Sequence, residues 1–251
     1  MKSPFRNRSF RHYRYWASGL LAMTLMACAG SPEEETAQQT ANKAVQSGAC
    51  GETLIAKDGM KLSMVKQQMD QGQYYLALAA LDDLDEDGLS VKIMRADSYR
   101  KLGKWDEASA LYQEMLNTCL AGSAYHGLGL IASYQGKMQD AMKWMEKAAK
   151  AAPVEADVRN DLGFLLLVTG QDQKARDELL TALELNPSHP NAAKNLWFVL
   201  LKTNQKQAAA TLASRFEWDY ADQQEMMDAI TAFRPLQLDP SQSGKESTGA
   251  L

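Results

Sequence analysis

Residues 158–187 read VRNDLGFLLLVTGQDQKARDELLTALELNP, and the preceding 34 residues are built in the same way. Gly163 and Gly170 of this stretch correspond to Gly129 and Gly136, and Pro187 corresponds to Pro153. Self-similarity at a fixed period of this length is typical of a chain made from stacked structural repeats. The stretch therefore sets the period with which the rest of the chain is compared.

The period extends in both directions from this stretch. A glycine or asparagine recurs at spacings of 31, 33, 34 and 34 residues, at Gly72, Gly103, Gly136, Gly170 and Asn204. Each is followed five residues later by an alanine: Ala77, Ala108, Ala141, Ala175 and Ala209. Glycine and asparagine tolerate the positive φ that ends a helix, and alanine lets two helices approach closely. The pattern therefore indicates that a helix ends at each of these turn residues and that two helices pack closely at the alanine after it.

These units resemble the tetratricopeptide repeat over about residues 58–216. The resemblance implies an all-α solenoid of about five helix-turn-helix units, with an unrelated helical bundle as the alternative. Units one and five depart from the pattern, because Val65 and Trp197 stand where the family has a small residue. Such departures are expected in terminal repeats, which have a neighbour on one side only.

A further helix is predicted after the fifth unit. Asp222 followed by Glu225 resembles a helix N-cap with its reciprocal glutamate. We expect this helix to cap the last repeat, and a partner-binding helix is the alternative. The apolar side chains that recur on one face are Met226, Met227, Ile230 and Phe233.

The first residues have the pattern of an export signal. Residues 1–14 are basic and 16–27 are apolar, and a run of about 12 residues is too short to span a bilayer. Leu25-Met26-Ala27-Cys28 resembles a bacterial lipobox, which implies a signal peptide at 1–27 and acylation of Cys28, detectable with palmitate. The alternatives are an ordinary signal peptide with an incidental cysteine and an uncleaved anchor. Ala29 after the cysteine implies the periplasmic face of the outer membrane.

Composition divides the remainder of the chain into three parts. Residues 28–49 comprise the acylated cysteine and a flexible tether, because large apolar side chains are almost absent there. Residues 50–233 form the repeat domain with its capping helix. Residues 234–251 are rich in Ser, Gly and Pro and are predicted to be a disordered tail.

Charge and motifs argue against several classes of function. Residues 28–251 hold 22 basic and 31 acidic side chains, which disfavours nucleic-acid binding. The sequence has no nucleophile elbow, phosphate-binding loop or metal-ligand spacing, and His126 and His189 have no sequence neighbour that suggests a relay. We predict no catalytic residues, no metal, no cofactor and no small-molecule substrate. The protein is predicted not to be an enzyme.

Two cysteines remain in the predicted mature chain, Cys50 and Cys119. In an oxidising periplasm they could form a disulfide across about 70 residues. The alternative is two separate buried thiols, and the sequence does not decide between them.

The tetratricopeptide resemblance implies that the first helix of each pair lines a concave groove that binds a peptide. Lysines along it would be available to a carboxylate, and the alternative is that some of these side chains belong to the core between helices. The predicted groove residues are Leu130, Tyr134, Asn160, Phe164, Leu167, Lys194, Phe198, Leu201 and Lys202.

A lipobox, a short tether and about five repeats together resemble the TadD lipoproteins of the tight-adherence (Tad/Flp) pilus assembly system. The segment from Val158 to Pro187 carries most of that resemblance. It implies a non-enzymatic adaptor that binds a peptide of an outer-membrane secretin or of another pilus assembly protein. The alternatives are a type IV pilus pilotin and a scaffold for peptidoglycan hydrolases.

Overall fold

The computed structural model describes residues 45–84 and 88–236. The predicted signal peptide, Cys28, most of the tether and the tail from residue 237 lie outside the described residues. The chain begins with a short hairpin of two antiparallel strands, β1 (Val45–Ser47) and β2 (Thr53–Ile55). The sequence predicts a tether through residue 49, whereas β1 begins four residues earlier because it pairs with β2.

Eleven helices follow in the described part of the chain, and they confirm the predicted all-α class. Their bounds are α1 (Ala56–Asp70), α2 (Tyr74–Asp82), α3 (Leu89–Lys101), α4 (Trp105–Glu114), α5 (Ala121–Tyr134), α6 (Met138–Ala151), α7 (Ala156–Val168), α8 (Asp172–Leu185), α9 (Pro190–Lys202), α10 (Lys206–Arg215) and α11 (Tyr220–Ala232). The first ten form five consecutive pairs, one for each predicted repeat.

The turn inside each pair has the predicted geometry. The five turn residues have φ between 60° and 80°, a region that side chains larger than glycine or asparagine rarely occupy. The five alanines that follow are at most 1% exposed, because each lies where the two helices of a pair cross. Turn residue and alanine together fix the antiparallel pairing.

The buried side chains form three clusters along the array. A large cluster joins α5 to α10, and smaller clusters fill the second pair and the first. Val65 and Trp197, which replace the small residue in units one and five, are both buried. The indole of Trp197 meets that of Trp218 edge-on, with ring centroids 6.1 Å apart. In unit five the large side chain thus contacts the chain that follows the repeat.

The terminal helix begins three residues earlier than predicted. Asp219 is its N-cap: the Asp219 side chain accepts from the Asp222 backbone N–H, and the Asp222 side chain accepts from the Asp219 N–H. The predicted pairing of Asp222 with Glu225 is therefore wrong. The sequence contains this motif twice, as Asp219 with Asp222 and as Asp222 with Glu225, and the helix starts at the first of the two. Met226, Ile230 and Phe233 pack toward the core as predicted, whereas Met227 is exposed.

A disulfide joins Cys50, in the turn between β1 and β2, to Cys119, in the loop between α4 and α5. The Cα atoms are 5.6 Å apart, within the usual range for this bond. The Ser90 hydroxyl at the start of α3 accepts from the Ala49 backbone N–H at 2.8 Å. The hairpin is thus attached to the second repeat and to the loop after it by a covalent bond and by hydrogen bonds.

Candidate peptide-binding groove

The candidate site is the row of first helices α5, α7 and α9 from units three to five. Two aromatic side chains of the predicted groove are open to solvent on this row: Tyr134 is 58% exposed at the end of α5, and Phe164 is 45% exposed in α7. Leu130 and Leu201 are half-buried and pack against the core. The row therefore has two exposed aromatic side chains and two half-buried leucines.

Two predicted groove residues are buried instead of lining a surface. Leu167 is 3% exposed and belongs to the main core cluster, and Asn160 is 5% exposed. Leu167 lies three residues after Phe164 on α7, and its side chain packs among the buried residues of the cluster that joins α5 to α10. For Leu167 the alternative interpretation, a side chain of the inter-helix core, describes the structure better.

Asn160 belongs to a chain of polar side chains that links the three first helices. Its amide nitrogen donates to Asp161 Oδ1 at 2.9 Å, and its Oδ1 accepts from Asn195 Nδ2 of α9 at 3.0 Å. On the other side, Asp161 Oδ2 lies 2.7 Å from His126 Nε2 of α5. We name His126, Asp161, Asn160 and Asn195 the polar ladder. It fixes α5, α7 and α9 relative to one another.

His189 also has a carboxylate neighbour, and this contact caps a helix. Its Nδ1 accepts from the Ala192 backbone N–H at 3.2 Å, and its Nε2 lies 2.9 Å from Asp157 Oδ1. The sequence indicates no carboxylate for either histidine, because the partners come from positions 32 and 35 residues away. Both histidines hold neighbouring repeats together.

The two predicted lysines differ in their surroundings. Lys194 is exposed, and its role in binding a carboxylate stays a prediction. Lys202 differs from the prediction, because its Nζ lies 2.5 Å from Asp172 Oδ1 and 5.2 Å from the centre of the Phe233 ring. The positive charge of Lys202 is therefore already engaged within the chain.

Phe198 has an aromatic neighbour that sequence reasoning missed. Its ring meets the ring of Phe233 nearly at right angles, with centroids 5.1 Å apart. Phe233 comes after the end of α11, and the segment that follows it reaches back to α7, where the Leu236 N–H donates to the Val168 carbonyl at 2.7 Å. Pro235 after the aromatic residue signals the end of the helix, but no local pattern signals this return to unit four.

The described residues do not gather into a metal centre: no three His, Cys, Asp or Glu side chains among them are placed to share an ion. None of the described helices is both long and apolar enough to span a bilayer.

Comparison with protein families agrees with the repeat geometry. Two models described as tetratricopeptide repeat match residues 96–122 and 122–155, which cover α4 to α6 and the end of α3. The chain contains tetratricopeptide repeats. Together with the five helix pairs, these matches confirm the predicted solenoid fold.

A curated relative extends the match beyond those two units. The TPR repeat-containing protein PA4299 of Pseudomonas aeruginosa is 34% identical over 160 residues, which are 64% of this chain. The chain spans 61% of that relative's length. The two proteins are homologous over these 160 residues.

Two solved structures are similar to this chain at low sequence identity. PilF from Pseudomonas aeruginosa superimposes with a TM-score of 0.54 and 16% identity, over 63% of this chain and 74% of PilF. MamA from Desulfovibrio magneticus, residues 41 to the end, gives a TM-score of 0.48 and 16% identity over 68% of this chain and 95% of that one. PilF supports the fold assignment.

Proposed function

We propose that this protein is a non-enzymatic adaptor that binds a peptide segment of a partner protein along its first helices. The observation that carries this proposal is the exposure of Tyr134 and Phe164 on the first helices of two consecutive repeats. Exposed aromatic side chains on a fixed surface are typical of protein-binding sites, because their burial by a partner is favourable. Lys194, exposed on the next first helix, adds a cation at the edge.

We further propose that the adaptor is a lipid-anchored protein of the periplasmic face of the outer membrane that serves a Tad/Flp pilus secretion apparatus. The support is the lipobox at Cys28, the polar tether after it and the resemblance of Val158–Pro187 to the TadD lipoproteins. The partner is then a secretin or another pilus assembly protein. Two or more acyl chains on the cysteine would hold such a protein stably on the membrane.

Co-purification tests the adaptor proposal. The full-length chain with Tyr134→Ala and Phe164→Ala should lose the secretin that the wild type retains, because both changes remove exposed aromatic surface. Tyr75→Ala is the matched control: Tyr75 is 71% exposed on α2, a second helix away from the row, so this variant should retain the secretin. Equal retention by both variants would exclude the row as the binding site. Retention of a peptidoglycan hydrolase instead of the secretin would favour the scaffold alternative.

The anchor is tested separately at Cys28. Cys28→Ser should lose palmitate labelling and membrane association, because the thiol is the group that is acylated. Cys119→Ser is the control, since its thiol lies in the folded domain and forms a disulfide with Cys50. Equal labelling of wild type and Cys28→Ser would exclude a lipoprotein anchor at this residue.

A further inference from the structure

The chain after α11 lies on two of the first helices. The helix ends at Ala232, and Phe233 has extended backbone angles, with φ −66° and ψ 134°. From there the chain runs toward the C-terminal end of α7, where the backbone N–H of Leu236 donates to the Val168 carbonyl oxygen at 2.7 Å. That oxygen belongs to the last turn of a helix, which leaves it without an intrahelical donor. The segment therefore satisfies a helix-end carbonyl as a bound peptide would.

Phe233 provides the side-chain part of this contact. Its ring packs edge-to-face on Phe198, at 5.1 Å between centroids, and lies under the Lys202 ammonium at 5.2 Å. Both geometries are favourable for an aromatic ring. Phe198 and Lys202 are two of the residues that the sequence predicts for binding a partner.

Pro235 completes the contact at the turn of unit four. A Cβ built on Gly170 would lie 3.6 Å from Pro235 Cβ, so the proline ring stands over a position without a side chain. We name Phe233–Leu236 the return segment. The return segment contacts the C-terminal ends of α7 and α9 through the Phe233 ring, the Leu236 backbone N–H and the Pro235 ring.

The return segment is attached by the least buried α-helix of the described chain. α11 contains no buried residue, whereas each of the ten α-helices before it buries at least two. Elements with few buried apolar contacts open at low free-energy cost. The segment can therefore leave the first helices without unfolding the repeats.

We propose that the return segment is an internal ligand of the groove, and that the partner displaces it with an extended segment of the same chemistry. That chemistry is an aromatic residue, any residue, a proline and an apolar residue, so that the aromatic ring contacts Phe198 and the following backbone donates to Val168. This inference rests on the proposed use of the first helices as a binding site. In the free protein the C-terminal half of the groove is occupied, and only the part around Tyr134 and Phe164 is open.

A peptide of the chain's own sequence is the probe. The peptide ITAFRPL-amide, residues 230–236 with a fluorescein at its N-terminus, is held at constant concentration while the full-length chain is titrated into it, and binding is followed by fluorescence anisotropy. Phe233→Ala should bind it at least about tenfold more tightly than the wild type, because an internal competitor lowers apparent affinity by the fraction of protein it leaves free. The control peptide with alanine in place of its phenylalanine should bind neither protein.

A second variant separates displacement from damage to the fold. Leu236→Pro removes the N–H that donates to Val168 and changes no buried side chain, so it should also tighten peptide binding while the melting temperature stays unchanged. If Phe233→Ala does not fold, Leu236→Pro alone decides. Adding Phe198→Ala to either variant should abolish peptide binding.

Two results would overturn the inference. Equal affinity of wild type and both variants would show that the return segment does not compete, and absence of binding to both variants would show that the groove does not take this sequence pattern. Both measurements use the purified protein without pilus components. A failure of secretin capture is thus distinguishable from a failure of the displacement mechanism.

Discussion

Gly163 of α7 and Leu179 of α8 are in such close contact that a Cβ on the glycine would lie 2.7 Å from Leu179 Cγ. The same Cβ would lie 3.3 Å from the Ala175 carbonyl oxygen, so backbone as well as side chain limits the space. The glycine that the repeat pattern places here is thus required by the approach of two helices. It lies in the helix and has no positive φ.

Gly163→Ala should lower the free energy of unfolding by about 1–3 kcal/mol, because the added methyl overpacks a full interface. Gly129→Ala is the matched comparison at the equivalent position of unit three. There the nearest atom is the terminal methyl of Met145 at 3.1 Å, which can move aside. We expect that variant to stay within about 1 kcal/mol of wild type. Denaturant unfolding of both proteins measures the difference, and equal losses would contradict this account.

Removal of the Cys50–Cys119 disulfide should destabilise the N-terminal end of the array. The bond closes a loop of 69 residues, for which the chain-entropy model gives about 4 kcal/mol. Because repeats couple mainly to their neighbours, hydrogen exchange should rise in the hairpin and in α1 to α4 and stay low in α7 and α8. Reductant should lower the unfolding midpoint of wild type and leave a variant with both cysteines changed to serine unaffected. No response of the wild type would show that the bond contributes little.

Sequence alone predicted the features that depend on one repeat. The turn residues, the alanines five residues later and the five helix pairs follow from positive φ and from close helix approach, and both requirements act over a few residues. Because the sequence pattern recurs with a fixed period, the same helix pair is predicted in each repeat. The all-α fold could therefore be obtained without any long-range contact.

The surface of the groove depends on contacts that the period does not encode. The polar ladder pairs His126 with Asp161 across 35 residues, and the return segment brings Leu236 to Val168 across 68 residues of sequence. A small rotation of a helix also decides whether Leu167 faces solvent or core, and the repeat pattern does not determine rotation that finely. The repeat pattern thus predicts the fold. It does not predict which side chains line the groove or that the return segment lies in it.

Tyr112 gives the structure a pH dependence at the alkaline end. Burial and the neighbouring Asp97 carboxylate raise the pKa of Tyr112 above its ordinary value of about 10. The unfolded chain releases this proton near pH 10 while the folded chain keeps it, so the stabilising contribution is full below pH 10 and is lost as the pH rises further. Unfolding free energy measured from pH 8 to 11 should fall in the upper part of that range.

Tyr112→Phe isolates this contribution. The hydroxyl donates to Asp97 Oδ1 at 2.5 Å and accepts from Arg100 Nε at 3.1 Å, so its removal should cost about 1–3 kcal/mol at pH 8. The difference between wild type and variant should shrink above pH 10, because only the wild type carries the buried phenol. A difference that stays constant across the range would show that Tyr112 does not titrate on unfolding.

Phe164 and Leu167 lie three residues apart on α7 and should behave in opposite ways. Leu167 is in the core, so Leu167→Ala should cost about 2–5 kcal/mol through the cavity it leaves. Phe164 is exposed, so Phe164→Ala should change the unfolding free energy by less than about 1 kcal/mol and weaken partner capture instead. The melting temperature and co-purification of the partner, measured on both variants, distinguish the two roles. Early melting of Phe164→Ala would place its side chain in the core, and normal melting with full partner capture would exclude it from the binding surface.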